Sequence, residues 1–319
     1  MSNNLIREVK AAGRQITQAS AEVESTLGPL SQLVGTWKNE PELPGRGWNM
    51  IAVPFGGDNL GYRLLLNQYN ETLTFDLVDK GVPNRGIATS NDDREDDQFL
   101  TALAYDQRIE QIATDDFPRS DLLNPNGSII HHEPGLWLNM LNKTTNHVDI
   151  ARLSTIPHGD SVLALGRSGQ LPEMPRVPDI SGLPIGTGDT LEDAYFAPYQ
   201  RFHSDPFEGV FDPVHPNALL NEANQGVEIE KVTVLPVDTT VETGGIANIP
   251  FVTKQANATQ LNATFWIQEL KEKDANGNPK LRLQYSQTVF LEFFKRTDGV
   301  PGLIRWPHVS INTLVKVTD

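Results

Sequence analysis

The chain has 319 residues, a formal charge of -15, a pI near 4.9 and no cysteine. An acidic chain without clustered Lys and Arg lacks the counterion-releasing surface that nucleic acid or an anionic membrane needs. The missing thiols exclude disulfides, thiolate catalysis and cysteine-held metal centres. In chain order, Leu5, Val9, Ile16, Ala19, Val23 and Leu27 recur at steps of three, four or seven, the pattern of an amphipathic helix that Gly28-Pro29 would end. Short runs rich in β-branched and aromatic residues follow: Trp48 to Phe55, Tyr62 to Gln68, Thr72 to Val78, Phe99 to Ile112, Ile129 to Leu138, His147 to Ser154 and Ser161 to Leu165. After an interval come Val227 to Leu235, Ala263 to Leu270, Lys280 to Phe294 and His308 to Val317, with the Asp274 to Pro279 segment reading as a hairpin turn. About ten strands with few helical intervals predict an all-β, antiparallel barrel or sandwich.

The interval from Gly169 to Gly226 is rich in proline, has no period, and carries acidic and aromatic residues. A tract of that length reads as a lid, an elaborated loop or an interaction surface. The strands beyond it continue the same pattern, so the expectation is a single domain over residues 1–319, with an N-terminal helix over 1–30 and an insertion over 169–226. The start, MSNNLIREVKAAGRQ, lacks the apolar core of a secretory signal, and no apolar run approaches a spanning helix. The expected location is cytoplasmic, with no membrane partner.

Several short patterns, in order along the chain, resemble one family. Leu33-Val34-Gly35-Thr36-Trp37-Lys38 is similar to the opening of calycin barrels, and of nitrobindins in particular. Gln68 to Phe75 resembles the Tyr-x-Glu-x-aliphatic-x-Phe strand that follows, and His131-His132-Glu133-Pro134-Gly135-Leu136-Trp137 the His-x-Glu-x-Gly neighbourhood, with Leu136 where the first aromatic would stand. Val148 through Gly166 resembles the next hairpin. Trp306-Pro307-His308-Val309-Ser310-Ile311-Asn312-Thr313-Leu314 is similar to the closing strand. The resemblance implies a ten-stranded calycin-type barrel like that of fatty-acid-binding proteins, holding haem b with His308 as the iron ligand and with Thr36 and Trp37 contributing at the cofactor end. It also implies binding of nitric oxide and isomerisation of peroxynitrite; the expectation drawn from it is chemistry on these, or weaker peroxidase activity on a peroxide, with the iron's other face nearly unassisted by the protein. This chain is nearly twice the size of such barrels.

Tested residue by residue, a haem ligand must be a neutral imidazole projecting from a rigid element into a dry cavity. Alternation along a strand puts His308, Ser310, Asn312 and Leu314 on one face and Val309, Ile311 and Thr313 on the other, so the more polar set would have to face the interior. His131 and His132 are adjacent and face opposite ways, so at most one enters the barrel; beside Glu133 it is a candidate general base or metal ligand. His158, in the Pro157-His158-Gly159 turn, is a candidate group at the barrel mouth. His203 and His215 lie among acidic residues of the insertion and read as a solvated loop. Arg46, Arg63 and Arg152 are candidate partners for a ligand carboxylate. The competing function is a non-catalytic carrier of a fatty acid or another apolar small molecule, the commonest use of such a barrel.

Overall fold

Alternation of inward and outward side chains dominates the described residues, which in this computed structural model are 26–40, 42, 45–84, 98–140 and 147–317. The predicted N-terminal helix lies outside them except for its last residues, which lead into a 3-10 turn at Gly28–Leu33. Thirteen strands form one antiparallel sheet. They are β1 (Gly35–Asn39), β2 (Gly47–Pro54), β3 (Tyr62–Asn84), β4 (Gln98–Phe117), β5 (Ile129–Met140), β6 (Ile150–Ile156) and β7 (Asp160–Gly166). Beyond these come β8 (Gly169–Leu171), β9 (Ile229–Asp238), β10 (Gly245–Asn248), β11 (Asn257–Lys273), β12 (Pro279–Lys295) and β13 (Leu303–Lys316). Short helices occupy Ala197–Ser204 (α1), Ala218–Glu222 (α2) and Pro250–Gln255 (α3).

The sheet closes into a ten-stranded barrel. β1 and β2 share one place in the ring, each pairing with β3 on one side and β13 on the other. The ring then runs β3, β4, β5, β6, β7, β9, β11, β12 and β13. The seam is the β7–β9 contact, where Leu165 faces Asp238. A Cβ at Gly166 would stand 1.7 Å from the Pro236 carbonyl oxygen, so only glycine lets the seam close. Two runs read separately in the sequence, Tyr62 to Gln68 and Thr72 to Val78, fuse into β3: Asn70, which looked like a break, is an exposed strand residue opposite Glu110.

Inside, Trp37, Leu73, Phe75, Leu103, Trp137, Ile150, Phe265, Leu283 and Leu314 make an apolar floor, sealed from below by Leu27, Leu30 and Leu33. Trp37 donates its indole N–H to the Leu33 carbonyl at 2.7 Å, which fixes the plug to the first strand.

The insertion is not a lid. From β8 it runs along the outer wall, where Val177, Phe196, Tyr199, Phe202, Phe207, Phe211, Leu219 and Leu220 bury the outward side chains Trp48, Met50, Ala52, Tyr62, Leu64, Leu66, Val309 and Ile311. Trp48 stacks on Phe211 with centroids 5.6 Å apart, and Trp306 on Phe293 at 4.7 Å. This explains the sidedness of the last strand: Val309 and Ile311 are apolar because they form a second core outside the barrel, which leaves His308 and Ser310 free to face inward. Each such side chain removed from water stabilises by about 1.5–3 kcal/mol. Phe211→Ala should therefore lower unfolding free energy by about 3 kcal/mol in urea titrations; a loss below about 1 kcal/mol would show that the insertion is not part of the cooperative unit.

Candidate functional site

Reading each strand from the mouth downward, the inward positions change character in step. On β3 they are Tyr69, Glu71, Leu73 and Phe75; on β5 His131, Glu133 and Trp137; on β13 His308, Ser310, Asn312 and Leu314. The upper positions enclose a cavity of about 550 Å³, the middle ones form a polar layer, and the lower ones are the floor. The volume lies within the range of small-molecule sites.

Two buried carboxylates organise the polar layer. Glu71 accepts from Tyr285 Oη at 2.6 Å, Gln107 Nε2 at 2.7 Å and Asn312 Nδ2 at 2.6 Å. Burial pushes its carboxyl up, against the three donors that favour the charged form. Tyr69 reaches Tyr285, hydroxyl to hydroxyl, at 3.0 Å. It gains its room from Gly47, where a Cβ would lie 2.0 Å from the Tyr69 ring. Glu133 accepts from Tyr105 Oη, from Arg152 at 2.7 Å and from His131 Nε2 at 3.2 Å. Burial alone would raise its carboxyl, but the Arg152 guanidinium, then His131 and Tyr105, hold it down at about 2. Arg152 also donates to Gln287 Oε1 at 2.6 Å and lies over the Tyr105 and Phe265 rings, 5.4 and 5.3 Å from their centroids.

Three of the four candidate histidines face the cavity. His308 on β13 and His131 on β5 stand four places apart around the ten-membered ring, and His158, in the β6–β7 turn, lies still more nearly opposite His308. His131 and His158 are neighbours, ring centroids 5.7 Å apart. Burial, followed by the fields of His131 and His158, lowers His308 to about 3, so its ring is neutral. Asn49 Nδ2 donates to His308 Nε2 at 2.6 Å and to Ser310 Oγ at 3.0 Å, while Asn67 Nδ2 donates to Asn49 Oδ1 at 3.1 Å. His158, exposed at the rim, is lowered by partial burial and by His131. The face opposite His308 is thus furnished with two imidazoles, in contrast to the unassisted face that the resemblance implies.

The other predicted positions lie elsewhere. His132 points outward and pairs with the exposed Asp106 at 2.7 Å. Thr36 meets Thr74 across the β1–β3 pair at 3.2 Å and Trp37 belongs to the floor, so neither lines the cavity. The three arginines have protein partners: Arg46 bonds Asn70, Arg63 pairs with Asp116, and Arg152 with Glu133. His203 and His215 pair with Asp212 and Asp179 on the insertion. Asn49, Asn67, Tyr69, Gln107 and Tyr285 went unread as site residues; the only signal was their polarity at inward strand positions, which becomes visible once the register is known.

Much of the rest of the cavity's lining is aliphatic, from Ile51, Val53, Leu65, Ile109, Ile156, Val162, Val289 and Leu291, with Gln111, Thr114, Asp160 and Gln287 among the polar side chains between them. Its mouth is framed by Leu122 of the β4–β5 loop and by Phe251 of α3, 66% and 69% exposed. Among the described residues, no lysine or arginine lines it. Among the described residues, no group of three or more His, Asp or Glu is placed to hold a bare metal ion, and no helix is long and apolar enough to cross a membrane.

Because His308 binds a proton less readily folded than unfolded, its contribution to stability is complete above about pH 6.5 and is lost as pH falls toward about 3; His158 acts in the same sense. Glu133 adds a further loss only between about pH 4.5 and 2, while Glu71 and Asp160, whose carboxyls burial raises, act in the opposite sense above their ordinary values. Chemical unfolding from pH 7 to 5 should show stability falling in the wild type and a shallower slope in His308→Gln; equal slopes would show that His308 is not held neutral. No protein-family model matches the chain, and no curated protein matches it in sequence.

Proposed function

We propose that the cavity holds haem b with His308 as the protein ligand to iron, and that the bound group acts on a small nitrogen oxide or peroxide. The observation that carries this reading is the placement of one neutral imidazole opposite two others in a largely aliphatic cavity of about 550 Å³. A neutral ring is the metal-binding form, and strand β13 fixes its position. Haem needs only one such ligand because the macrocycle supplies four nitrogens of its own, which agrees with a site that lacks the side chains for a bare ion. Iron binding at His308 Nε2 would take the lone pair now engaged by Asn49, whose amide keeps Ser310 as a partner. The aliphatic walls would keep water from a bound macrocycle, and any carboxylate it carries would need solvent or a polar partner.

Once bound, the haem would supply a Lewis-acidic, redox-active iron. What the chain supplies is proton handling: His131 and His158 stand on the wall opposite His308, within reach of a ligand's acidic hydrogen in a way a bare aliphatic wall is not. That furnishing favours substrates whose reaction moves a proton, peroxides among them, over ligands that only bind.

The carrier reading keeps one specific observation, the aliphatic lining with exposed Leu122 and Phe251 at the mouth. Among the described residues no Lys or Arg lines the cavity, so a carrier's ligand would be either a neutral apolar molecule or an acid whose carboxylate stays at the mouth. Titrating the purified protein with hemin separates the two. The haem reading predicts a saturable Soret shift at one equivalent that His308→Ala abolishes. Identical nonspecific spectra from both proteins, together with uptake of a neutral fluorescent probe displaced by apolar ligands, would replace it with the carrier.

A further inference from the structure

We infer that Glu133 is a positioning residue, which fixes the His131 imidazole in its Nε2–H tautomer and leaves Nδ1 as the proton acceptor on the cavity wall facing His308. The geometry rests on strand periodicity. His131 and Glu133 are two residues apart on β5, so both point inward, one into the cavity and the other into the polar layer below it. His132 between them points to solvent.

Glu133 is 1% exposed, and its two oxygens divide the work. Oε1 takes Arg152 at 2.7 Å and the Tyr105 hydroxyl, while Oε2 takes His131 Nε2 at 3.2 Å. Arg152 is itself anchored by Tyr105 Oη at 3.1 Å and Gln287 at 2.6 Å. A carboxylate paired in this way is ionised and accepts only, so the hydrogen in the bond to His131 must come from the ring. A neutral imidazole with its proton on Nε2 has its lone pair on Nδ1. Fixing a tautomer through a carboxylate behind the ring is how proteins commonly orient a histidine that accepts a proton.

A purely structural filler is a poor account of the same residues. A buried ion pair is seldom more stabilising than hydrocarbon of the same volume, and the floor directly below shows that this barrel packs hydrocarbon readily. The consequence for reactivity rests on the haem reading, whereas the tautomer itself does not. The titratable and charged groups facing His131 are Glu133 on its own strand, Arg152 on β6, His158 and Asp160 at the β6–β7 turn, Glu71 on β3 and His308 on β13.

The test is heteronuclear NMR of ring-15N histidine in the full chain without added hemin, with the His131 signals assigned by their loss in His131→Gln. The inference predicts the Nε2–H pattern for neutral His131 in the wild type. In Glu133→Gln it predicts a mixture of tautomers, because the ionised acceptor that holds the Nε2 hydrogen is gone. If Glu133→Gln fails to fold with Arg152 unpaired, the double variant Glu133→Gln/Arg152→Met removes both charges and carries the same prediction for the tautomer. An Nδ1–H pattern in the wild type, or an unchanged tautomer in either folded variant, would overturn the inference. Failure of hemin binding alone would leave these signals as predicted, so the two readings fail separately.

Discussion

The buried Glu133–Arg152 pair is the constraint on which the rest of the interior depends. A closed barrel of ten strands is wide enough either to fill with side chains or to enclose a small-molecule cavity, and this one does both, at its two ends. Here the pair, together with the Glu71 hub, forms a polar stratum whose members already satisfy one another, with Tyr105, Gln287, Gln107, Tyr285 and Asn312 as donors and acceptors. Because these groups are committed to each other, they cannot collapse into the space above, and the cavity stands open over a sealed floor. Desolvating two charges is compensated only when such a network is complete, which makes the layer rigid as well as costly to disturb. The same layer sets the chemistry above it, since Glu133 reaches up to His131 and the Tyr69–Tyr285 contact forms part of the cavity wall.

A second constraint comes from outside. The wall formed by β2, β3 and β13 is apolar on its outer face, and the insertion covers that face with aromatic side chains. A wall packed on its outer side holds its inward residues in register even where they line an open space. His308 and Asn49 lie on the strands that the insertion supports, whereas His131 and His158 lie on the opposite wall. That opposite wall is also where the seam falls: near the mouth, β7 is paired by the short β10, Asn248 bonds the Ala258 carbonyl of β11, and α3 takes the place of further strand. One side of the cavity is therefore braced by a second core and the other is built from short elements.

Much of this architecture was legible in the sequence, and the parts that were not have physical reasons. Strand existence and the all-β class followed from alternation and turn residues, which left barrel and sandwich both open; the choice of a closed ten-stranded barrel came from the resemblance. The inward direction of His308 was readable only as a conflict, since its face is the more polar one; the conflict disappears because Val309 and Ile311 have an apolar partner in the insertion, a long-range contact that periodicity cannot reveal. His131 could not be separated from His132, because adjacent strand residues differ only by register, and a one-residue shift exchanges them. Thr36 and Trp37 were drawn toward the cofactor by resemblance, but strand β1 lies at the floor end of its shared place in the ring, far down the barrel from the cavity lining. Glu133 was legible as the partner of a histidine but not as the partner of Arg152, and Glu71 was legible only as part of a strand pattern, because their other partners come from β4, β6, β12 and β13.

The account stands or falls on whether a flat, iron-bearing ligand occupies the space between His308 and the wall of His131 and His158. A crystal structure of the protein saturated with hemin tests this most directly. The account predicts the macrocycle inside the barrel above the Glu71 and Glu133 layer, iron bonded to the His308 imidazole, with His131 and His158 on the opposite face. A macrocycle bound on the outer surface, or iron held by a residue other than His308, would contradict it.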